Sequence, residues 1–323
     1  MKTAISFNTV NRDTSGPGAF ARAAKWYWDE LTDMIAAAGF DAVVLSMIPD
    51  SFNNVRCGAP ICAGEFRQVY GSAENYLAYL NEKGIKNVEA MMISGQAMLD
   101  SMFESGISMA NYFAEFHKYA EDVCNVLHIL GGPLLLVSPT PAWGNLLQIL
   151  DGPAALEKFE DDAAACLNKI GAMSQKMGIR TCVKNDFWTL MRGNGIRAFM
   201  EKLDRSLVSF APDTAQLQIA DADPVELIDA YGKDLHCICL TDTKYKDQVE
   251  NYKSISPEFP QSGVLQRCYC DLGYGNVDFE AVYNTLKAHN FDNLVVLESR
   301  YTLNVPRAIL RMNTFWKRLT NKM

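Results

Sequence analysis

The chain has 323 residues, 49% of them apolar and 21% charged, which is ample for a large core and fits either two ordinary domains or one α/β barrel. A net charge of −8 and a pI near 5.1 argue against a nucleic-acid binder, because affinity for a phosphate backbone rests on clustered lysine and arginine. No apolar run approaches the roughly 18 residues that a membrane span needs.

The N-terminal "MKTAISFNTV" is too short in its apolar part for a signal peptide and runs into the polar "NRDTSG". Nine scattered cysteines fit reduced thiols better than a disulfide framework, so a cytoplasmic protein is expected.

In chain order the first strand candidate is "KTAISF" (2–7). Phe20, Ala24, Tyr27, Leu31, Met34, Ile35 and Ala38 then recur at helical spacing. Gly39 stops that helix just before "DAVVLSM" (41–47). "NVEAMMIS" (87–94) and "PLLLVS" (133–138) follow, and Leu156, Phe159, Ala163, Cys166, Ile170, Met173 and Met177 mark another helix. Gly178 leads from it into "IRTCVK" (179–184), after which come "LVSFAPD" (207–213), "LHCICLTD" (235–242) and "NLVVLES" (293–299). Runs that are apolar throughout are what a parallel strand covered on both faces requires.

Eight strand-then-helix units with right-handed crossovers predict a single-domain (β/α)8 TIM barrel. A doubly wound dinucleotide-binding sheet would show G-x-G-x-x-G after the first strand, and "SFNTVNRDTSGPG" does not supply it.

In a barrel, chemistry sits at the carboxyl ends of the strands. That rule selects Asn8, Ser94, Ser138, Lys184, Asn185, Asp186, Asp213, Asp242 and Glu298, with Trp143 and Trp188 in the loops that follow. Two stretches, about 48–71 and 243–271, are long and read as loops over the barrel mouth. The pairs Cys237/Cys239 and Cys268/Cys270 are spaced too closely for a usual zinc knuckle and read as packing. The basic residues from Arg307 to Lys322 read as the solvated face of a C-terminal helix.

Three stretches together carry a family resemblance: "GIRTCVKND", "APDTAQLQIADADPVELIDAYGKDLHCICLTD" and "DLGYGNVDFEAVYNTLKAHNFDNLVVLES". Residues 165–300 resemble the xylose isomerase-like barrel superfamily, which includes sugar phosphate isomerases and epimerases, inosose dehydratase and endonuclease IV. The resemblance implies a divalent metal held by Glu, Asp, His and Glu at the ends of strands five to eight. Those positions are Lys184, Asp213, Cys239 and Glu298 here, so two of the four ligands remain. The family's Asn survives as Asn185, its neighbouring His becomes Asp186, and the His after the strand-six Asp becomes Gln216. None of the four histidines falls at a strand end, which argues against the histidine-rich zinc site of endonuclease IV.

From that exchange the following is expected. The Lys184 ammonium replaces the metal and pairs with both Asp213 and Glu298, because facing carboxylates repel unless a cation lies between them. No cofactor is then needed, the fallback being Mn, Mg or Zn at Asp213 and Glu298. Glu298, Lys184 and Asp213 are the candidate catalytic residues, with Glu298 as base. Lys184 either stabilises an enediolate oxygen as a cation or, with a depressed pKa, moves the proton or forms a Schiff base.

Asn185, Asp186, Gln216, Trp143, Arg267 and Cys239 are candidate substrate-binding residues, Trp143 by stacking on a sugar face and Arg267 by contacting an anionic group. The resemblance implies proton transfer next to the carbonyl of a small polyhydroxylated sugar. A non-catalytic sugar-binding relative and a dehydratase stay open as alternatives. Family members are often dimers or tetramers.

Overall fold

The computed structural model describes residues 1–10, 24–50, 60–254, 268–300 and 302–321. Its eight strands are β1 (Lys2–Ser6), β2 (Ala42–Ser46), β3 (Asn87–Ser94), β4 (Leu134–Ser138), β5 (Arg180–Lys184), β6 (Val208–Ala211), β7 (Cys237–Leu240) and β8 (Leu294–Leu297). They pair in parallel in the order β6-β5-β4-β3-β2-β1-β8-β7. The Asp213–Cys239 bridge, with the Cys239 N–H donating to the Pro212 carbonyl at 2.8 Å, closes β6 onto β7. Every predicted strand is present, trimmed by a residue or more at one or both ends except for β3, and the predicted (β/α)8 barrel is the fold.

The strands are apolar on both faces because both are covered. Alternate positions such as Ala42, Val44, Met92, Leu136, Cys182 and Val296 fill the barrel interior. Their neighbours, among them Val43, Leu45, Ile93, Val137 and Leu297, pack outward against the helices. Gly39 and Gly178 both adopt positive φ, +90° and +76°, where the chain leaves a helix for the next strand. The helical spacings identified in the sequence become Lys25–Ala37 and Gly152–Lys176.

Two expectations need correction, and a third lies partly outside the described residues. The stretch 48–71 is not all loop, since Ala63–Val69 is a helix with Phe66 in the core; residues 51–59 lie outside those described. In 243–271, a 3-10 turn spans Asn251–Lys253, and residues 255–267, with Arg267, lie outside the described set. The C-terminal helix Val305–Asn321 is not simply solvated on its basic face: Arg307 and Arg311 reach buried Asp271 at 3.6 and 3.1 Å.

Cys237 and Cys239 line the barrel interior, and Cys268 packs among aromatic rings, so these thiols do pack. None of the described cysteines is in a disulfide. No described helix is long and apolar enough to cross a membrane.

Candidate active site

Inward-facing positions at the strand ends turn polar where the apolar interior stops, and this change of side-chain type makes the site. Lys184 ends β5 with only 3% of its surface exposed. Its Nζ lies 2.6 Å from Asp213 Oδ2 and 3.4 Å from Asp186 Oδ1. Burial works against the ammonium, but the Asp186 and Asp213 carboxylates outweigh it and hold the pKa above the ordinary lysine value. Lys184 is therefore a fixed cation. The expected alternative of a depressed lysine pKa, with proton shuttling or Schiff-base formation, is corrected: two carboxylates are too close.

Asp213 caps the helix Thr214–Ile219. Its Oδ1 accepts from the Thr241 hydroxyl and, at 3.3 Å, from the Gln216 N–H, while Oδ2 takes Lys184. Both oxygens are thus engaged, and the residue expected among the catalytic groups anchors the lysine instead.

The expected pairing of Lys184 with Glu298 is not formed. Glu298 is fully buried, and its Oε1 accepts from Arg300 Nε, two residues along the chain. A guanidinium on the same strand exit reaches this carboxylate where the lysine, already held by Asp213 and Asp186, does not. Arg300 also approaches Asp186 Oδ1 at 3.9 Å, and its guanidinium carbon lies 5.8 and 5.6 Å from the ring centres of Trp188 and Tyr269. Asp186 thereby bridges two cations. Two cations and three carboxylates stand at the mouth, a net charge of minus one.

Arg300 lies two residues beyond the family's terminal glutamate, past the strand-end positions that the barrel rule selects. The signal available was a basic residue two positions past a strand-end carboxylate in "LESR".

Two expected ligand-binding residues are occupied by the protein itself. Asn185 Oδ1 accepts the Asp213 N–H at 2.9 Å and its Nδ2 donates to the Asp213 carbonyl at 3.4 Å. Gln216 Oε1 accepts the Phe187 N–H at 3.1 Å and its Nε2 donates to the Tyr269 hydroxyl at 3.0 Å. Both are fully buried positioning residues. Cys239 faces the interior below Lys184 and is likewise buried.

Trp143 joins an aromatic wall with Trp188, Tyr252 and Tyr269; it meets Tyr252 edge-on at 5.6 Å, and its backbone N–H donates to the Trp188 carbonyl at 2.7 Å. Asp186 stays at the mouth, and its Oδ2 accepts no hydrogen bond among the described residues. Glu298 Oε2 is buried with no hydrogen-bond partner among the described residues.

The metal implied by the resemblance can be tested against this donor set. A divalent ion needs four to six oxygen, nitrogen or sulfur donors with lone pairs turned inward. Here both Asp213 oxygens and Glu298 Oε1 are committed, and an ammonium sits among them. Among the described residues, no group of three or more His, Cys, Asp and Glu is arranged to hold an ion. This donor set does not fit a divalent metal.

Comparison with known proteins agrees with the fold. Inosose dehydratase of Clostridium perfringens is 26% identical over 181 residues, 54% of this chain, and that alignment spans only 59% of the relative's length. Inosose dehydratase of Lactiplantibacillus plantarum is 25% identical over 228 residues, 68% of this chain and 71% of the relative. The structure of D-allulose 3-epimerase from Methylomonas sp. superposes with a TM-score of 0.67 at 13% identity, covering 99% of this chain and 98% of the other. A family model described as xylose isomerase-like TIM barrel matches residues 32–317. With that match spanning most of the closed barrel and its strand-end site, the chain belongs to the xylose isomerase-like TIM-barrel family.

Proposed function

We propose that this protein is a sugar-modifying enzyme that transfers a proton at the carbon next to the carbonyl of a small polyhydroxylated ketone, using fixed cations where the family uses a divalent metal. The observation that carries this reading is Glu298 Oε2. It is a fully buried carboxylate oxygen without a hydrogen-bond partner among the described residues, at the carboxyl end of the barrel, with the Arg300 cation on its sister oxygen and the Lys184 cation at the end of β5. Leaving such an oxygen unpaired costs about 1–3 kcal/mol, a cost that a substrate C–H or O–H removes when bound.

In this scheme Glu298 Oε2 takes the proton, while Arg300 on Oε1 fixes the carboxylate's orientation. The electron pair moves onto the carbonyl oxygen, where the Lys184 ammonium opposes the developing negative charge. Asp213 and Asp186 hold that ammonium in place and charged. Asp186, held between the two cations, is ionised and has no proton to give, so the proton that Glu298 Oε2 has taken is the one passed on. Giving it to the neighbouring carbon is isomerisation, and re-protonation of the first carbon from solvent on the opposite face, with Glu298 releasing its own proton to solvent, is epimerisation. Delivering the Glu298 proton to a departing β-hydroxyl gives dehydration, the reaction favoured by the similarity to the inosose dehydratases.

The test is incubation with D-allulose and with an inosose in deuterated water, read by NMR alongside ligand binding. Exchange of the α-proton, lost in Glu298→Gln, is expected. Binding without exchange would make the protein a sugar-binding relative, and loss of water would make it a dehydratase. Stoichiometric manganese, magnesium or zinc in purified active protein, lost in Asp213→Ala, would overturn the metal-free part.

A further inference from the structure

Ser138 is the residue whose chemistry the proposed reaction leaves unused. It ends β4, only 5% exposed, and its hydroxyl has no hydrogen-bond partner among the described residues. On one side its ladder partner is Ser94 of β3; on the other, the register Val137–Val183 places it beside Lys184. In the ring order of the strands, β4 lies four positions from β8 in either direction. Ser138 Oγ and Glu298 Oε2, both buried at strand ends without a hydrogen-bond partner among the described residues, therefore stand on diametrically opposed strands, with Lys184 and Asp213 on the arc between them.

An eight-stranded barrel with strands about 4.8 Å apart and tilted about 36° is roughly 15 Å across between opposing backbones. Subtracting a glutamate and a serine side chain leaves about 7 Å between the two atoms, and with a contact of about 3 Å needed at each end a chain of five or six carbons reaches both by arching over the mouth rather than lying flat between them.

We infer that Ser138 is a specificity-determining residue that binds the hydroxyl of a neutral five- or six-carbon ketose farthest from its carbonyl, so that the sugar runs along the β4–β8 diameter with its carbonyl end toward Glu298, on the side to which Asp213 draws the Lys184 ammonium. This rests on the proposed reading of the site as a sugar site. The neutral character follows from charge. Among the described residues the mouth carries three carboxylates against two cations already matched to them, so an added phosphate or carboxylate meets net negative charge. The serine hydroxyl both donates and accepts, which suits a sugar hydroxyl and offers an anion no charge.

The experiment is calorimetric titration of the wild type and Ser138→Ala with D-fructose, D-tagatose and L-sorbose, with the 6-deoxy form of whichever binds, and with D-fructose 6-phosphate. Ser138→Ala is expected to weaken binding of the parent ketose about 5- to 10-fold, the worth of one buried hydrogen bond, and to leave the 6-deoxy analogue unchanged. Equal losses for both ligands, or no loss for either, would overturn the assignment, as would failure of all three ketoses to bind or tighter binding of the phosphate. A folding defect in Ser138→Ala would weaken both ligands alike, and Ser138→Thr, which keeps the hydroxyl, is expected to restore discrimination between them. Because binding is read without turnover, loss of α-proton exchange with this pattern intact would sink the proposed reaction and leave the subsite standing.

Discussion

Arg300 donates to Glu298 Oε1 from two residues farther along the chain, and this one contact decides how the mouth of the barrel is wired. It takes the second family carboxylate away from Lys184, leaves Oε2 as the open oxygen, and spreads the site's positive charge over two side chains with Asp186 between them.

Removing the guanidinium isolates a buried carboxylate. Breaking a buried pair from one side costs about 3–5 kcal/mol, whereas replacing both partners by apolar groups of similar volume is close to neutral. Arg300→Met is expected to lower stability by that amount in urea unfolding, and the double change Arg300→Met with Glu298→Met to recover most of it. A single change that costs less than about 1 kcal/mol would show that the pair is loose and solvated.

Lys184 tests the exchange of metal for ammonium. Its pKa lies above the ordinary lysine range, so the charge persists across the working pH of an enzyme and no break in a pH–rate profile should belong to it. Lys184→Met is expected to reduce α-proton exchange by about 100- to 1,000-fold, the cost typical of losing one stabilising group at a developing oxyanion. In Lys184→Glu the family's carboxylate returns beside Asp213 and Glu298, and manganese binding near one equivalent is expected by calorimetry. Failure of that variant to bind manganese, with its fold intact by circular dichroism, would show that the inherited positions no longer converge.

How far the sequence revealed all this differs between fold and site. The strands were legible because residues such as Val43 and Val44 must be apolar whichever way they point, so a continuous run marks each one. The lysine's contact with Asp213 was legible because both occupy inherited strand ends. What sequence could not supply was the choice of partner. Asn185 and Gln216 are as polar as any sugar ligand, yet their amides are spent on the Asp213 and Phe187 backbone and on Tyr269. That allocation depends on distances between elements about thirty or more residues apart, and periodicity carries no record of them.

Glu65 gives a pH dependence independent of the reaction. It is fully buried on the helix Ala63–Val69, neither carboxylate oxygen has a hydrogen-bond partner among the described residues, and burial together with the nearby Asp50 pushes its pKa up to about 7 from 4.5. The native state thus keeps the proton longer than the unfolded chain does. Its contribution to stability is full at low pH and falls as pH rises from about 4.5 through 7, by roughly 3 kcal/mol in all. Urea unfolding of Glu65→Gln, which cannot ionise, is expected to show a gain relative to the wild type that is small near pH 5 and about 2–3 kcal/mol near pH 8. A difference that stays flat between those pH values would mean that Glu65 is solvated in the native state.

Asp242 carries the last expectation, since it shapes the wall beside the site without touching it. At the exit of β7 its carboxylate accepts four backbone N–H groups, from Thr243 at 2.9 Å, Gly273 at 3.0 Å, Gly275 at 2.7 Å and Val277 at 3.3 Å. Burial raises its pKa and the four N–H groups oppose that rise without cancelling it. This cradle fixes the segment that follows Tyr269, whose ring faces Arg300. A Cβ on Gly275 would stand 2.0 Å from Asp242 Oδ1, so the position admits only glycine while the carboxylate is there. Asp242→Asn replaces an acceptor oxygen with an NH2 facing N–H donors and is expected to cost about 2–3 kcal/mol. Gly275→Ala should cost at least as much, since its Cβ also meets the Thr243 carbonyl at 2.6 Å, but the two costs should not add, because either change already dismantles the same cradle of four N–H donors. Strict additivity in that double-mutant cycle would mean that the two residues act separately. Sub-additive loss, accompanied by a raised KM with kcat little changed, is the signature of a loop whose job is to hold the aromatic wall over Arg300.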